Sequence, residues 1–107
     1  MEYNPSEIKS QLSASVRRLA YLYSPEDQFT LASGRESPHF FDMKPVMMNP
    51  ECAHLIGIMI HQILDGLGDV DAVGGLELGA VPLTGIVIAT SATGRHLRGF
   101  VVRTEPN

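Results

Sequence analysis

The residues with the clearest chemical pattern form a glycine-bounded loop within residues 70–82, VDAVGGLELGAVP. Its first half is a short apolar run closed by Gly74 and Gly75, which is typical of a buried strand that ends in a turn. Its second half begins a helix, with Pro82 in the first turn, where a missing N–H costs nothing. Open α/β sheets bind anions between such a strand and helix. An anion site and a plain turn with packing glycines both fit this spacing, which matches neither common nucleotide-binding glycine motif.

A second set of potential ligands lies on one predicted helix. His54 and His61 are seven residues apart, and Asp65 follows His61 by four. No further ligand at a suitable spacing accompanies them, and histidines at a surface or helix end fit the same pattern, so we assign no metal ligand. Cys52 has no nucleophile motif around it and is expected to be a small core residue. The sequence therefore assigns no catalytic residue.

Composition restricts the class of protein. A chain of 107 residues suffices for a single domain with a modest core, which we expect to span residues 1–107. The 44% hydrophobic and 19% charged content is typical of a soluble globular protein. Eight Lys and Arg against twelve Asp and Glu argue against a nucleic-acid partner. One cysteine, no signal peptide and no 18-residue apolar span indicate a cytoplasmic protein without a membrane partner.

The N-terminal residues predict an amphipathic helix. Asn4 is the expected N-cap, Pro5 takes the first helical position, and Glu7 takes the third. Apolar side chains then recur every three or four residues on one face, at Ile8, Leu12, Val16, Leu19 and Tyr23. The helix is expected to end at Ser24-Pro25, and its apolar face to cover the rest of the domain or, alternatively, a membrane surface.

Two extended segments, residues 29–33 and 39–44, are expected to pair as a hairpin. The first alternates with period two, Gly34 supplies a turn, and prolines on both sides of the second disfavour a helix through it. Neighbouring strand residues face opposite ways. One of the rings of Phe40 and Phe41 should therefore lie in the core, and the other should pack elsewhere or against a ligand.

The remaining elements predict a βαβ unit. A helix begins at Asn49-Pro50-Glu51, and its expected buried face consists of Leu55, Met59, Ile63 and Leu67. Next come the strand before Gly74, a helix over residues 80–93 that is apolar nearly all round, and a strand over residues 99–103. Gly94 is the expected C′ residue of that helix, followed by Arg95 and His96, which suit a helix C-terminus. Two parallel strands leave an edge unpaired, so the sheet is expected to be incomplete.

Three segments together resemble the orotate phosphoribosyltransferase family. Residues 29–42 (FTLASGRESPHFFD) are similar to its N-terminal signature, residues 73–82 (VGGLELGAVP) to its pyrophosphate loop, and residues 100–103 (FVVR) to the strand before its mobile catalytic loop. Their order and separations agree with the family from about residue 5 onwards. The resemblance implies an α/β protein: an incomplete type I phosphoribosyltransferase fold, with an N-terminal helix and hairpin followed by a βαβ unit of a parallel sheet.

The resemblance also implies an activity. Family members transfer the 5-phosphoribosyl group from phosphoribosyl pyrophosphate to orotate, giving orotidine 5'-monophosphate and pyrophosphate in pyrimidine biosynthesis, with Mg²⁺ bound to the donor. It implies that orotate lies against Phe40, Phe41 and Lys44. It implies that the donor binds Leu78, Gly79 and Arg103, and that the arginine often does so across a homodimer interface. It also implies a strained backbone at Glu77-Leu78, for which a cis peptide is one form. A solvated arginine at a strand end is the other interpretation of Arg103.

The chain also departs from the family. Many relatives carry a lysine where it has Ala32, and some carry one where it has Gly79; Lys44 and Arg35 are candidates to compensate. After Arg103 the sequence lacks the family's lysine-bearing loop and its second half, which binds ribose 5-phosphate. We therefore expect the N-terminal half of such an enzyme, inactive by itself. A non-catalytic remnant that binds a ligand or partner chain, and a phosphoribosyltransferase for another base, remain alternatives.

Overall fold

The computed structural model describes residues 4–91 and 96–105. The helices in these residues are α1 (Pro5–Leu19), α2 (Lys44–Met47), α3 (Pro50–Asp65) and α4 (Ala80–Thr90). The strands are β1 (Tyr21–Tyr23), β2 (Phe29–Thr30), β3 (Glu36–Ser37), β4 (His39–Phe41), β5 (Ala72–Leu76) and β6 (Arg98–Val102). The α/β architecture expected from the sequence is confirmed: an N-terminal helix, an antiparallel ribbon and a parallel pair joined by a helix.

Helix α1 begins as predicted. The Oδ1 atom of Asn4 accepts hydrogen bonds from the backbone N–H groups of Ser6 and Glu7, at 2.9 and 3.4 Å. Ile8 and Leu12 are buried in the main core. The predicted end at Ser24-Pro25 is wrong: α1 stops at Leu19, because the next residues leave the helix to form β1 and pair with β4.

Strands β1 to β4 form the antiparallel ribbon. Gly34 adopts a φ of 88° in its turn, a conformation that favours glycine. The hairpin is present, but its pairing differs from the prediction: β2 pairs with β3, whereas β4 pairs with β1, with Tyr21 opposite Phe41. Lys44 was expected in an extended segment and instead begins α2, because Pro45 fits the first turn of a helix.

Helix α3 begins at the predicted position, where the Asn49 Oδ1 atom accepts from the Cys52 N–H at 3.0 Å. Cys52 is buried, as expected. The predicted face is buried only in part: Leu55 and Met59 pack against the core, whereas Ile63 and Leu67 are 57% and 68% exposed. Helix α3 packs against both α1 and α4, so its buried residues lie on the side that faces these two neighbours: Cys52, Ile56, Gly57 and Leu64.

The predicted βαβ unit is confirmed. Strands β5 and β6 are parallel, with Val73 opposite Gly99 and Leu76 opposite Val102, and α4 packs against both. Helix α4 was expected to be buried on most sides, and this is wrong in the described residues, because Val87 is its one buried residue. It ends at Thr90; the predicted helix-end residues Gly94 and Arg95 lie outside the described residues, and His96 lies beyond the helix.

No helix within the described residues combines the length and the apolar character that crossing a membrane requires.

The crossing of α3 and α4 offers a paired test of helix packing. A Cβ atom at Gly57 would lie 2.5 Å from the Thr90 side chain, whereas a Cβ at Gly85 would meet nothing within 4 Å. We expect Gly57→Ala to lower the free energy of unfolding by about 1–3 kcal/mol through overpacking. Gly85→Ala should raise it by about 0.5–1 kcal/mol through helix propensity. Urea denaturation of both variants checks this. Equal changes in the free energy of unfolding would contradict the packing at this crossing.

Candidate functional site

The loop between β5 and α4 projects from the carboxyl end of β5. Leu78 is 79% exposed, and the Glu77–Leu78 peptide is cis, which confirms the conformation that the resemblance implied. Gly75 faces the first turn of α4, where a Cβ would approach that of Ala80 to 2.6 Å. Glycine at this position therefore allows the helix to start close against the strand.

The amino end of α4 differs from those of α1 and α3. Asparagine side chains cap α1 and α3, whereas Gly79 precedes α4 and provides no side-chain hydrogen bond. The first backbone N–H groups of a helix have no partner within the helix and attract anions. The loop thus combines exposed backbone donors with the positive end of a helix dipole.

Arg103 lies beside this loop. It follows the last residue of β6, and the Glu77 N–H donates to the Val102 carbonyl at 2.9 Å. Parallel strands end at the same edge of a sheet, so Arg103 and the Leu78-Gly79 segment occupy one edge. Arg103 is exposed, and within the described residues no ion pair neutralises its guanidinium.

Glu77 is a residue of this edge to which the sequence assigned no role. Its Oε1 atom accepts hydrogen bonds from the Thr104 backbone N–H at 2.9 Å and from the Thr104 hydroxyl at 3.2 Å. Continued by one residue, the parallel register places residue 77 opposite residue 103. The signal available in the sequence is the order strand, helix, strand, which predicts the parallel pair. The direction of the carboxylate could not be deduced from that signal.

The residues expected to hold orotate lie on the ribbon and α2. The Phe40 ring stacks on Phe29 and the Phe41 ring lies against Tyr21, with ring centroids 5.5 and 5.3 Å apart. Phe40 and Phe41 are 39% and 57% exposed, so the expectation that one ring lies in the core is wrong. Aromatic neighbours within the ribbon support these rings in place of the core.

Lys44 is also accessible in this region. Its Nζ atom is 3.8 Å from the Asp42 carboxylate, and its side chain is 79% exposed. Phe41 additionally lines a cavity of about 420 Å³ between the ribbon and α1. These residues therefore form a half-exposed aromatic surface with a cation nearby.

The two groups of candidate residues lie on different elements. Leu78, Gly79 and Arg103 share the carboxyl edge of the parallel pair, whereas Phe40, Phe41 and Lys44 belong to the ribbon and α2. The ribbon packs beside α1, and within residues 4–91 and 96–105 it makes no extensive contact with the parallel pair. The structure therefore brings together the candidate donor-binding residues but does not join them to the orotate residues.

His61 of α3 connects two helices. The Nε2 atom of His61 lies 2.8 Å from the Val87 carbonyl oxygen and links α3 to α4. Across the described part of the chain, no three His, Cys, Asp or Glu side chains are arranged to hold a metal ion.

Two bacterial orotate phosphoribosyltransferases are similar to this chain in sequence. No family model matches the chain. It is 38% identical over 102 residues to an orotate phosphoribosyltransferase of Bradyrhizobium sp. strain BTAi1, an alignment that covers 94% of this chain and 53% of that protein. It is 41% identical over 99 residues to the orotate phosphoribosyltransferase of Rhodopseudomonas palustris strain TIE-1, covering 88% and 52%.

Solved structures agree with the sequence matches. The crystal structure of Mycobacterium tuberculosis orotate phosphoribosyltransferase with Fe(III) dicitrate is 33% identical, with a TM-score of 0.73 over 92% of this chain and 55% of that one. A structure of the same enzyme with 5-phospho-α-D-ribosyl 1-diphosphate superimposes with a TM-score of 0.67 over 90% and 53%. The chain spans about half the length of the relatives it matches, which is consistent with an N-terminal half. In sequence and in fold, this chain is thus similar to about half of an orotate phosphoribosyltransferase, with the corresponding part of the type I phosphoribosyltransferase fold.

Proposed function

We propose that this chain contributes the orotate surface and the diphosphate loop to an orotate phosphoribosyltransferase. The reaction transfers the 5-phosphoribosyl group from phosphoribosyl pyrophosphate to orotate, giving orotidine 5'-monophosphate and pyrophosphate. One observation carries the proposal: Arg103 and the uncapped Leu78-Gly79 loop lie side by side at one sheet edge, held by the Glu77–Val102 hydrogen bond. The similarity to orotate phosphoribosyltransferases supports the choice of substrates.

At this edge the loop would bind the diphosphate of the donor. The backbone donors of Leu78 and Gly79 supply hydrogen bonds, and the helix dipole of α4 favours the negative charge. Arg103 adds charge-assisted hydrogen bonds, which are shorter and stronger than neutral ones. Together they would hold the leaving group as charge develops on it.

Orotate would lie against the aromatic surface of the ribbon. The Phe40 and Phe41 rings offer flat apolar contact, and Lys44 offers an ammonium group for the orotate carboxylate. Because this surface and the diphosphate loop lie on different elements, orotate would be brought to the donor by the assembled enzyme. Residues 1–107 would act there as a single phosphoribosyltransferase domain.

Mg²⁺ would accompany the donor. It binds oxygen ligands, commonly substrate phosphates together with one or two carboxylates and waters. Since the described residues offer no cluster of metal ligands, the donor's own oxygens would supply most of the coordination. The ion would neutralise diphosphate charge while the loop and Arg103 orient it. We further propose a homodimer that works in the cytoplasm.

Two exposed arginines at opposite ends of β6 provide a test of this site. Arg103 follows the carboxyl end of the strand, and Arg98 begins its amino end, with both exposed. We expect Arg103→Gln to weaken binding of Mg²⁺–pyrophosphate by about 10- to 100-fold, because a hydrogen bond to a charged group contributes about 1.5–3 kcal/mol. Arg98→Gln should change the affinity by less than about threefold, since removing an exposed charge at the far end of the strand costs little. Calorimetric titration measures the affinity of both variants for Mg²⁺–pyrophosphate. Equal losses of affinity would contradict the assignment of Arg103 to the diphosphate site.

A further inference from the structure

Glu77 forms hydrogen bonds with the residues on both sides of Arg103. Its backbone N–H donates to the carbonyl of Val102, the residue before Arg103, at 2.9 Å. Its carboxylate accepts from the N–H of Thr104, the residue after Arg103, at 2.9 Å, and from the Thr104 hydroxyl at 3.2 Å. One residue of the loop thus fixes the backbone on either side of the candidate diphosphate-binding arginine.

The carboxylate of Glu77 lies at the edge that we assign to the diphosphate. A negative charge near bound diphosphate opposes binding, so a glutamate there would be expected to weaken affinity. Glu77 as a residue is half-buried, and the Thr104 N–H and hydroxyl both donate to one of its carboxylate oxygens. It therefore makes hydrogen bonds that order the segment beyond β6, and these can outweigh the repulsion.

We infer that Glu77 is a positioning residue that couples the diphosphate loop to Arg103. This inference rests on the proposed function of that edge. Glu77 does not touch the ligand; it holds the residues on both sides of Arg103 at a fixed place relative to Leu78 and Gly79. Without the carboxylate, the chain after Val102 loses its two hydrogen bonds to the loop, and Arg103 must be ordered when the ligand binds. Such ordering lowers affinity.

Charge and positioning predict opposite results for Glu77→Ala, and Glu77→Gln removes the charge while keeping the hydrogen-bond acceptor, an oxygen that can accept from Thr104. Glu77→Ala removes both the acceptor oxygen and the negative charge. If Glu77 acts by position, Glu77→Ala weakens binding of Mg²⁺–pyrophosphate about tenfold or more, whereas Glu77→Gln binds as well as the original chain or up to about threefold tighter. If Glu77 acts by charge alone, both variants bind more tightly.

The experiment titrates Mg²⁺–pyrophosphate into the full chain and its variants by calorimetry. Glu105→Ala is the matched control, because it removes an exposed carboxylate near Arg103 without touching these hydrogen bonds. Thr104→Val removes the hydroxyl but keeps the backbone N–H, and should weaken binding about two- to threefold. It tests the inference even if Glu77→Ala fails to fold.

A second readout is independent of any ligand. Exchange of the Thr104 amide hydrogen with water, followed by NMR, should be at least about tenfold faster in Glu77→Ala than in Glu77→Gln. Binding by the original chain with no loss in Glu77→Ala or Thr104→Val would overturn the inference and leave the proposed function standing. Absence of pyrophosphate binding by the original chain, with the exchange difference present, would overturn the proposed function and the role of Glu77 with it.

Discussion

The 107-residue chain, purified and mixed with orotate, phosphoribosyl pyrophosphate and Mg²⁺, should form no measurable orotidine 5'-monophosphate. It spans about half the length of the relatives it matches. By the resemblance, the ribose 5-phosphate loop and the lysine-bearing catalytic loop belong to the segment of those relatives that it does not span. Each lost contact to developing charge or phosphate costs about 3 kcal/mol, so three together correspond to roughly six to seven powers of ten in rate.

A full-length relative assayed in parallel provides the control for this prediction. The Mycobacterium tuberculosis orotate phosphoribosyltransferase is suitable, since it shares 33% identity and the fold of this chain. Chromatographic detection of product over several hours would reveal even slow turnover. A rate for the isolated chain near that of the relative would contradict our expectation and show that this half suffices for catalysis.

The chain should also self-associate at micromolar concentration. Its accessible surface is 7906 Å², whereas a compact monomer of 11.7 kDa is expected to expose about 5900 Å². Its radius of gyration is 15.9 Å, against about 13 Å for a compact chain of this length. The excess surface is larger than the roughly 800 Å² that each partner buries in a standard interface.

Much of this surface is apolar and belongs to the parallel pair. Gly75 and Gly99 face α4, so alternation places Leu76, Phe100 and Val102 on the opposite face of the sheet. These three side chains are 60%, 52% and 44% exposed. In the described residues no helix covers that face, and β6 has β5 as its single partner. Association that covers the sheet or the apolar helix α4 would remove these side chains from water.

Sedimentation equilibrium over a range of micromolar concentrations measures this association. We expect a mass of at least twice 11.7 kDa, with dissociation on dilution. A cooperatively folded monomer at all concentrations would show that the incomplete sheet is stable without a partner, and would remove the basis for the proposed homodimer.

Local signals in the sequence predicted the starts of α1 and α3 correctly. Asn4 and Asn49 cap α1 and α3 as expected, because capping depends on residues three or fewer positions away. The end of α1 could not be predicted in this way. Tyr21–Tyr23 continues the helical apolar pattern, and its pairing with His39–Phe41 depends on residues far along the chain. Tertiary pairing overrode the periodicity there.

The same difference between what the sequence pattern specifies and what it does not applies to the candidate site. The order strand, helix, strand sufficed to predict the parallel pair, and because parallel strands end at one edge, Arg103 lies at the same edge as the Leu78-Gly79 loop. The hydrogen bonds between Glu77 and Thr104 depend on a side-chain conformation, which no sequence pattern specifies. The exposed rings of Phe40 and Phe41 were missed for another reason: alternation predicts opposite faces but not whether either face meets the core.

The most direct test of the central claim is an NMR titration of the ¹⁵N-labelled chain with Mg²⁺–pyrophosphate. If the loop after β5 binds the diphosphate, the largest changes in amide shift will occur at Leu78, Gly79 and Ala80, with smaller changes at Arg103 and none at the asparagine-capped amino end of α1. The absence of shifts at saturating pyrophosphate, or shifts confined to residues outside this edge, would contradict the claim that the loop and Arg103 form a diphosphate site.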